Sequence, residues 1–214
     1  MQQNVLTPQI FLHHNDLPEG VNFTHSVAVD TETMGLKPQR DRLCLIQLSG
    51  GDGVCHLVQF SPGQKPYHAP RLKKMLENPA IQKIFHFGRF DLHVLKFYLG
   101  VDCTPVYCTK IASKLVRTFT DRHGLKDLCK DLLEIEISKQ QQSSDWGAAT
   151  LTPDQQKYAA SDVLYLHMLK EKLDVLLKRE GRLDIAKNCF HFLNTRIHLD
   201  LMGLEEVDIF AHHS

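Results

Sequence analysis

Asp30 and Glu32 stand two residues apart in Val29-Asp-Thr-Glu-Thr33, at the end of a short, β-branched apolar run. Side chains two apart on a strand share a face, so this spacing sets two carboxylates side by side at the lip of a buried strand. Ionised together they repel, and burial makes each charge costly unless a cation lies between them. Hard oxygen donors of this kind suit Mg²⁺ or Mn²⁺ better than zinc. A third acid, Asp91, falls in the first turn of a helix expected directly after another strand, in Phe85-His-Phe-Gly-Arg-Phe-Asp91. Alone, it reads as an answer to the helix dipole. The fourth, Asp162, follows Tyr158 in Tyr158-Ala-Ala-Ser-Asp162, a spacing that puts phenol and carboxylate on one helix face. Its neighbours Ala159, Ala160, Val163 and Leu164 are apolar, which argues against a free surface charge. Such a set can hold divalent cations beside a phenol.

The elements that must position these groups follow from the hydrophobic pattern. Residues 26–30, 42–48 and 54–60 read as strands. The turn cluster at 49–53 and the short loop at 31–41 leave no room for helical crossovers, so an antiparallel meander is expected. Helix and strand then alternate: a helix at 70–77, a strand at 82–86, and a helix at 89–99 stopped by Gly100. A brief strand near 105–107 precedes helices at 109–117 and 125–133. Thr152 as N-cap, Pro153 in the first turn and Gln156 as capping-box glutamine open a long helix reaching about Lys178. Gly181 separates it from a last helix, 183 to about 202, and a tail. There is no internal repeat, low-complexity tract or linker, so residues 1–214 are expected to form one mixed α/β domain.

Composition narrows the class further. The chain has 214 residues, 43% hydrophobic and 23% charged, the balance of an ordinary globular protein. Six scattered cysteines with no C-x-x-C pair fit neither a zinc site nor a disulfide framework. They read as reduced thiols of a cytoplasmic protein. The stretch 1–11 lacks both a basic start and an apolar core, so no secretion signal is expected. No apolar run approaches the roughly 18 residues of a membrane-spanning helix. Basic and acidic side chains balance at 25 each. A protein that tracks along duplex nucleic acid is expected to be basic, because phosphate neutralisation drives its affinity. Balance here favours a short nucleic acid, or a local basic surface offset elsewhere. Lys110, Lys114 and Arg117 fall on one helix face, with Arg122 and His123 just beyond, and form a candidate phosphate-binding face.

Asp30-x-Glu32 on a first strand, Asp91 between strand and helix, and Tyr158-x-x-x-Asp162 within a helix resemble, in order and context, the DEDDy 3′→5′ exonucleases. Ser144-Asp-Trp146 and Leu151-Thr-Pro-x-x-Gln156-x-Tyr-Ala-Ala-x-Asp162 resemble the RNase D branch. Residues 30–42, 85–91, 108–114 and 139–146 are most similar to the short nano-RNase C (NrnC) type. The resemblance implies a ribonuclease H-like fold, the meander followed by βα units and surrounded by helices. It also implies two divalent cations, Mg²⁺ or Mn²⁺, with Asp30 bridging both, Glu32 and Asp162 completing the first, and Asp91 serving the second through water. Tyr158 would align the attacking water, and nucleoside 5′-monophosphates would leave one at a time. Very short RNA, dinucleotides included, is the implied substrate, and DNA ends are a further one. Thr31, Met34, Gly35, Leu36, His86, Phe87, Lys114 and Arg122 are the expected substrate contacts. Leu36 is either a wedge between the last two bases or a loop leucine capping the core. A homo-octamer is implied, with the helix and tail at 183–214, including Ile209 and Phe210, used in assembly. No HRDC domain is expected after the catalytic one. Two other readings stay open: a broad RNase D-like processing nuclease or DNA-end exonuclease, and an inactive nucleic-acid-binding protein.

Overall fold

A computed structural model describes residues 8–63, 65–138, 140–141 and 143–212. Residues 1–7 of the N-terminal stretch, Lys139 and Gln142 of the 139–146 segment, and 213–214 of the tail lie outside the described residues. Six strands form one sheet: β1 (Gln9–His14), β2 (Ser26–Thr33), β3 (Leu43–Ser49), β4 (Val54–Gln59), β5 (Gln82–Phe85) and β6 (Val106–Cys108), in the order β1-β4-β3-β2-β5-β6. The meander is as expected, β2 pairing antiparallel with β3 and β3 with β4. β5 then adds in parallel beside β2, and β6 beside β5. Every residue of β3 is buried, so both faces of the sheet are covered there. The helices are α1 (Pro70–Glu77), α2 (Arg89–Leu99), α3 (Thr109–Val116), α4 (Leu125–Leu128), α5 (Pro153–Leu164), α6 (Leu166–Arg179) and α7 (Leu183–Leu201). α5 packs on β1 to β4, while α6 packs with β5, α3 and α7. This mixed α/β architecture is ribonuclease H-like.

Four local expectations need correction. β1 was not anticipated; it pairs in parallel with β4 at the sheet edge, and an apolar Phe11 on the exposed face between inward Ile10 and Leu12 hides the polar–apolar alternation. The single helix expected at 125–133 is α4 followed by a π-helical turn, Cys129–Leu133, ended by Glu134 at φ 60°. The long helix expected from Thr152 breaks at Tyr165 (φ −103°, ψ −2°) into α5 and α6. No glycine or proline marks that break; its two halves serve different packing partners, so tertiary contacts redirect the chain. The capping box uses Gln155 rather than Gln156. Gln155 N donates to Thr152 Oγ1 (3.2 Å) and Thr152 N to Gln155 Oε1 (2.9 Å). An N-cap hydroxyl reaches the third helical residue, and that residue is Gln155, while Gln156 Nε2 turns back to Leu151 O.

Candidate active site

β2 extends past its neighbour β5, whose pairing with it ends at Ala28. The end of β2 that carries Asp30 and Glu32 therefore has no strand on that side, and the chain leaving β5 enters α2 with Asp91 in its first turn. Thr31 Oγ1 donates to Asp91 Oδ1 at 2.7 Å, tying the two elements together. Asp162 comes from α5, which lies across the sheet. One carboxylate oxygen each from Asp30, Glu32 and Asp162 lie within 4.8 Å of one another. Asp91 stands just outside this trio, held by Thr31. Tyr158 lies one turn before Asp162 on α5, its ring 6.0 Å from that of buried Trp146. The Trp146 loop is anchored by Arg42 Nη2 to Gly147 O (3.1 Å), Gln59 Nε2 to Ala148 O (2.9 Å) and Gln155 Nε2 to Asp145 O (3.2 Å).

The electrostatics of this cluster are unfavourable as it stands. Burial raises Asp30 well above the usual carboxylate range, and Asp91, Asp162 and Glu32 add to it. Burial, then Asp162 and Asp91, push Glu32 up to about 9. Asp162 rises to about 7 by burial and Asp91's charge. Asp91 also rises to about 7 by burial, against the hydrogen bond from Thr31. Among the described residues none of the four forms an ion pair with Lys, Arg or His. Converging desolvated carboxylates without a protein cation are the donor set of a hard divalent metal. The Tyr158 phenol lies above its ordinary value through burial, then through Asp162, Glu32 and Asp30. It therefore keeps its proton.

The residues expected to touch substrate separate into two groups. Leu36 is 83% exposed, so it caps no core, and Met34 and Phe87 are also exposed. Phe87 holds φ 63° between β5 and α2, and Lys110 Nζ sits 4.2 Å from its ring centroid. Gly35 lies against Asp41: a Cβ there would come 2.3 Å from Asp41 Oδ2. Lys114 is exposed. The others are engaged within the fold. The Thr31 side chain is buried on Asp91. His86 Nδ1 pairs with Thr109 Oγ1 at 2.9 Å, and burial, then Lys110, lower it to about 3, so its ring is neutral. Arg122 pairs with Asp127 at 2.9 Å. The basic face needs correction as well: Arg117 is buried on Asp131 and the Arg122 carbonyl, and His123 is buried on Ser113. Helix spacing gave the face of Arg117 but not the acid waiting for it. Sequence reasoning also passed over Gln47, whose Nε2 donates to Asp30 Oδ2 at 3.1 Å. The available signal was a lone amide inside the apolar run Leu43-Cys-Leu-Ile-Gln-Leu48.

A family model described as 3′-5′ exonuclease matches residues 10–178. The structure of Brucella melitensis NrnC bound to pGG is similar at TM-score 0.92 and 56% identity, over 97% of this chain and 100% of that one. The same Brucella protein with bound Mg²⁺ is similar at TM-score 0.91 and 56% identity, over 96% and 100%. Ribonuclease D of Acidiphilium cryptum is 37% identical over 158 residues, 74% of this chain and 39% of the relative. The chain thus spans about two-fifths of the length of the ribonuclease D relatives it matches.

Proposed function

The chain belongs to the 3′-5′ exonuclease family, in its RNase D-like, NrnC-type branch, and from that membership we propose that it removes nucleotides one at a time from the 3′ ends of very short RNA, dinucleotides included. The observation that carries this reading is the convergence of Asp30, Glu32 and Asp162 oxygens within 4.8 Å, with Tyr158 on the face of Asp162. Two divalent cations fit this oxygen-only donor set, and Mg²⁺ in the Brucella relative supports them. Asp30, Glu32 and Asp162 would hold one and Asp30 with Asp91 the other. When bound, such ions lower the pKa of water and offset charge on the leaving oxygen.

The chain's own residues supply orientation. The protonated Tyr158 phenol donates toward the attacking water and aligns it with the terminal phosphodiester. Trp146, packed beside the phenol, limits its rotation. Leu36, Met34 and Phe87 offer an exposed apolar rim on which terminal bases can stack. Lys110 and Lys114 provide phosphate contacts. The pGG held by the Brucella relative supports a two-nucleotide substrate. Products are nucleoside 5′-monophosphates.

Assembly is part of the reading. The end of α7 and the tail carry Met202, Ile209 and Phe210 exposed, with Phe210 also touching Phe192. Apolar side chains gathered at one end of a molecule mark a contact surface, and residues 183–214 are assigned to a homo-octamer working in the cytoplasm. Among the described residues no helix is long and apolar enough to cross a membrane. A time course on 5′-labelled RNAs of two to about twenty nucleotides, with matched DNA, tests the substrate. Higher kcat/KM on the dinucleotide supports the reading. Equal or greater efficiency on the longest RNA points instead to broad processing, and preference for the DNA set to DNA ends.

A further inference from the structure

Gln47 is completely buried on β3, in register with Asp30 on β2. Residues directly opposite on antiparallel strands share a face, so its amide lies on the carboxylate side of the sheet. The next such pair sets Leu45 against Glu32, so the polar residue is matched to Asp30 alone. Gln47 Nε2 donates to Asp30 Oδ2 at 3.1 Å. Among the described residues Asp30 is the only hydrogen-bond partner of this side chain, and Gln47 Oε1 is buried with none. With Asp30 ionised, as a cation ligand must be, the amide cannot gain by turning over, since that would set Oε1 against a carboxylate oxygen. A leucine here would bury without an orphaned oxygen, so packing does not account for an amide at this position.

We propose that Gln47 is a positioning residue that fixes the Asp30 carboxylate for cation binding. By donating to Oδ2 it restricts rotation of the carboxylate, adding a side-chain hold to the backbone hydrogen bond from Thr31 while the group converges with Glu32 and Asp162. Asp30 is the acid through which both cation positions communicate, so its orientation bears on both. Partners behind a ligating group commonly contribute tenfold or more to metal affinity. The inference rests on the proposed function, and the following test separates the two.

Gln47→Leu and Gln47→Met both remove the donor at similar volume. Mn²⁺ is titrated calorimetrically into metal-free wild type and each variant, without substrate. Dinucleotide hydrolysis is then measured at saturating Mn²⁺, and folding is checked by circular dichroism. Expected are a Mn²⁺ dissociation constant raised about tenfold or more, a lower kcat, and an unchanged KM for the dinucleotide. Wild-type Mn²⁺ affinity and kcat in either folded variant overturns the role of Gln47 while leaving the proposed function intact. If neither variant folds, Gln47 belongs to the core and the inference likewise falls. A wild type that binds no Mn²⁺ defeats the proposed function itself.

Discussion

Asp162 and Tyr158 share a helix face but are assigned different work, and substitution separates them. Asp162→Asn removes a charge without changing shape and relieves a buried carboxylate held up near 7. The variant should fold as well as wild type, yet lose more than about a hundredfold in hydrolysis, since a metal site contributes several kcal/mol to the transition state. Steady-state rates with Mn²⁺ and a thermal melt check both halves. Tyr158→Phe keeps the ring against Trp146 and removes only the hydroxyl; kcat should fall roughly a hundredfold with KM nearly unchanged. An unaltered kcat removes Tyr158 from the reaction. The raised acids also predict a pH dependence of stability. Below about pH 3 the four carboxyls are protonated in both folded and unfolded chains. As pH rises, the unfolded chain releases its protons first, so metal-free stability falls until pH passes the folded values of about 7 and about 9. A divalent cation removes that repulsion. Added Mn²⁺ should therefore raise Tm more at pH 8 than at pH 5.5, where it competes with protons; equal shifts would count against the cluster as its site.

The loop after β2 and the start of α5 hold the site from opposite sides. Gly35→Ala would drive its Cβ into the Asp41 carboxylate, which receives Lys37 N and the Arg40 guanidinium. Either that carboxylate leaves Lys37 N and Arg40 or the loop bearing Leu36 shifts; both disturb the loop, so KM for the dinucleotide should rise several-fold with kcat little changed, read from the same kinetics. Thr152→Ala removes the N-cap of α5 and should cost about 1 kcal/mol in urea unfolding. Most of these elements were readable in advance because their signals are local: the Val27-Ala28-Val29 run, the turn at 49–53 and Gly100, which ends α2 at φ 74°. The break at Tyr165 was not, because packing rather than sequence punctuation produces it. β1 was hidden by its exposed edge position. Within the site, the carboxylates and the phenol showed in their spacing. Gln47 did not, and Thr31 was expected on the substrate rather than on Asp91, since their partners come from strand register and from a helix start on another element. Arg117 misled for the same reason, its partner Asp131 lying on a separate turn.

At the scale of the whole molecule, zero net charge and a four-carboxylate site sit together without conflict if the substrate is short. Few phosphates then need neutralising, and Lys110 and Lys114 can serve them without a broad basic surface. Assembly would bring further copies of that pair together. Phe210→Asp puts a charge in the proposed contact and should lower the mass measured by light scattering; a wild-type mass in the variant would release the tail from that role. The family ties, the exposed rim and the convergent acids all lead to one activity, and its most direct measurement is a metal add-back. Protein stripped with EDTA is given a 5′-labelled RNA dinucleotide, and then Mn²⁺ or Mg²⁺, with Asp162→Asn alongside. Expected are no cleavage before metal, release of nucleoside 5′-monophosphate after it, and an inert variant. Cleavage in EDTA, or a variant as active as wild type, would contradict this reading.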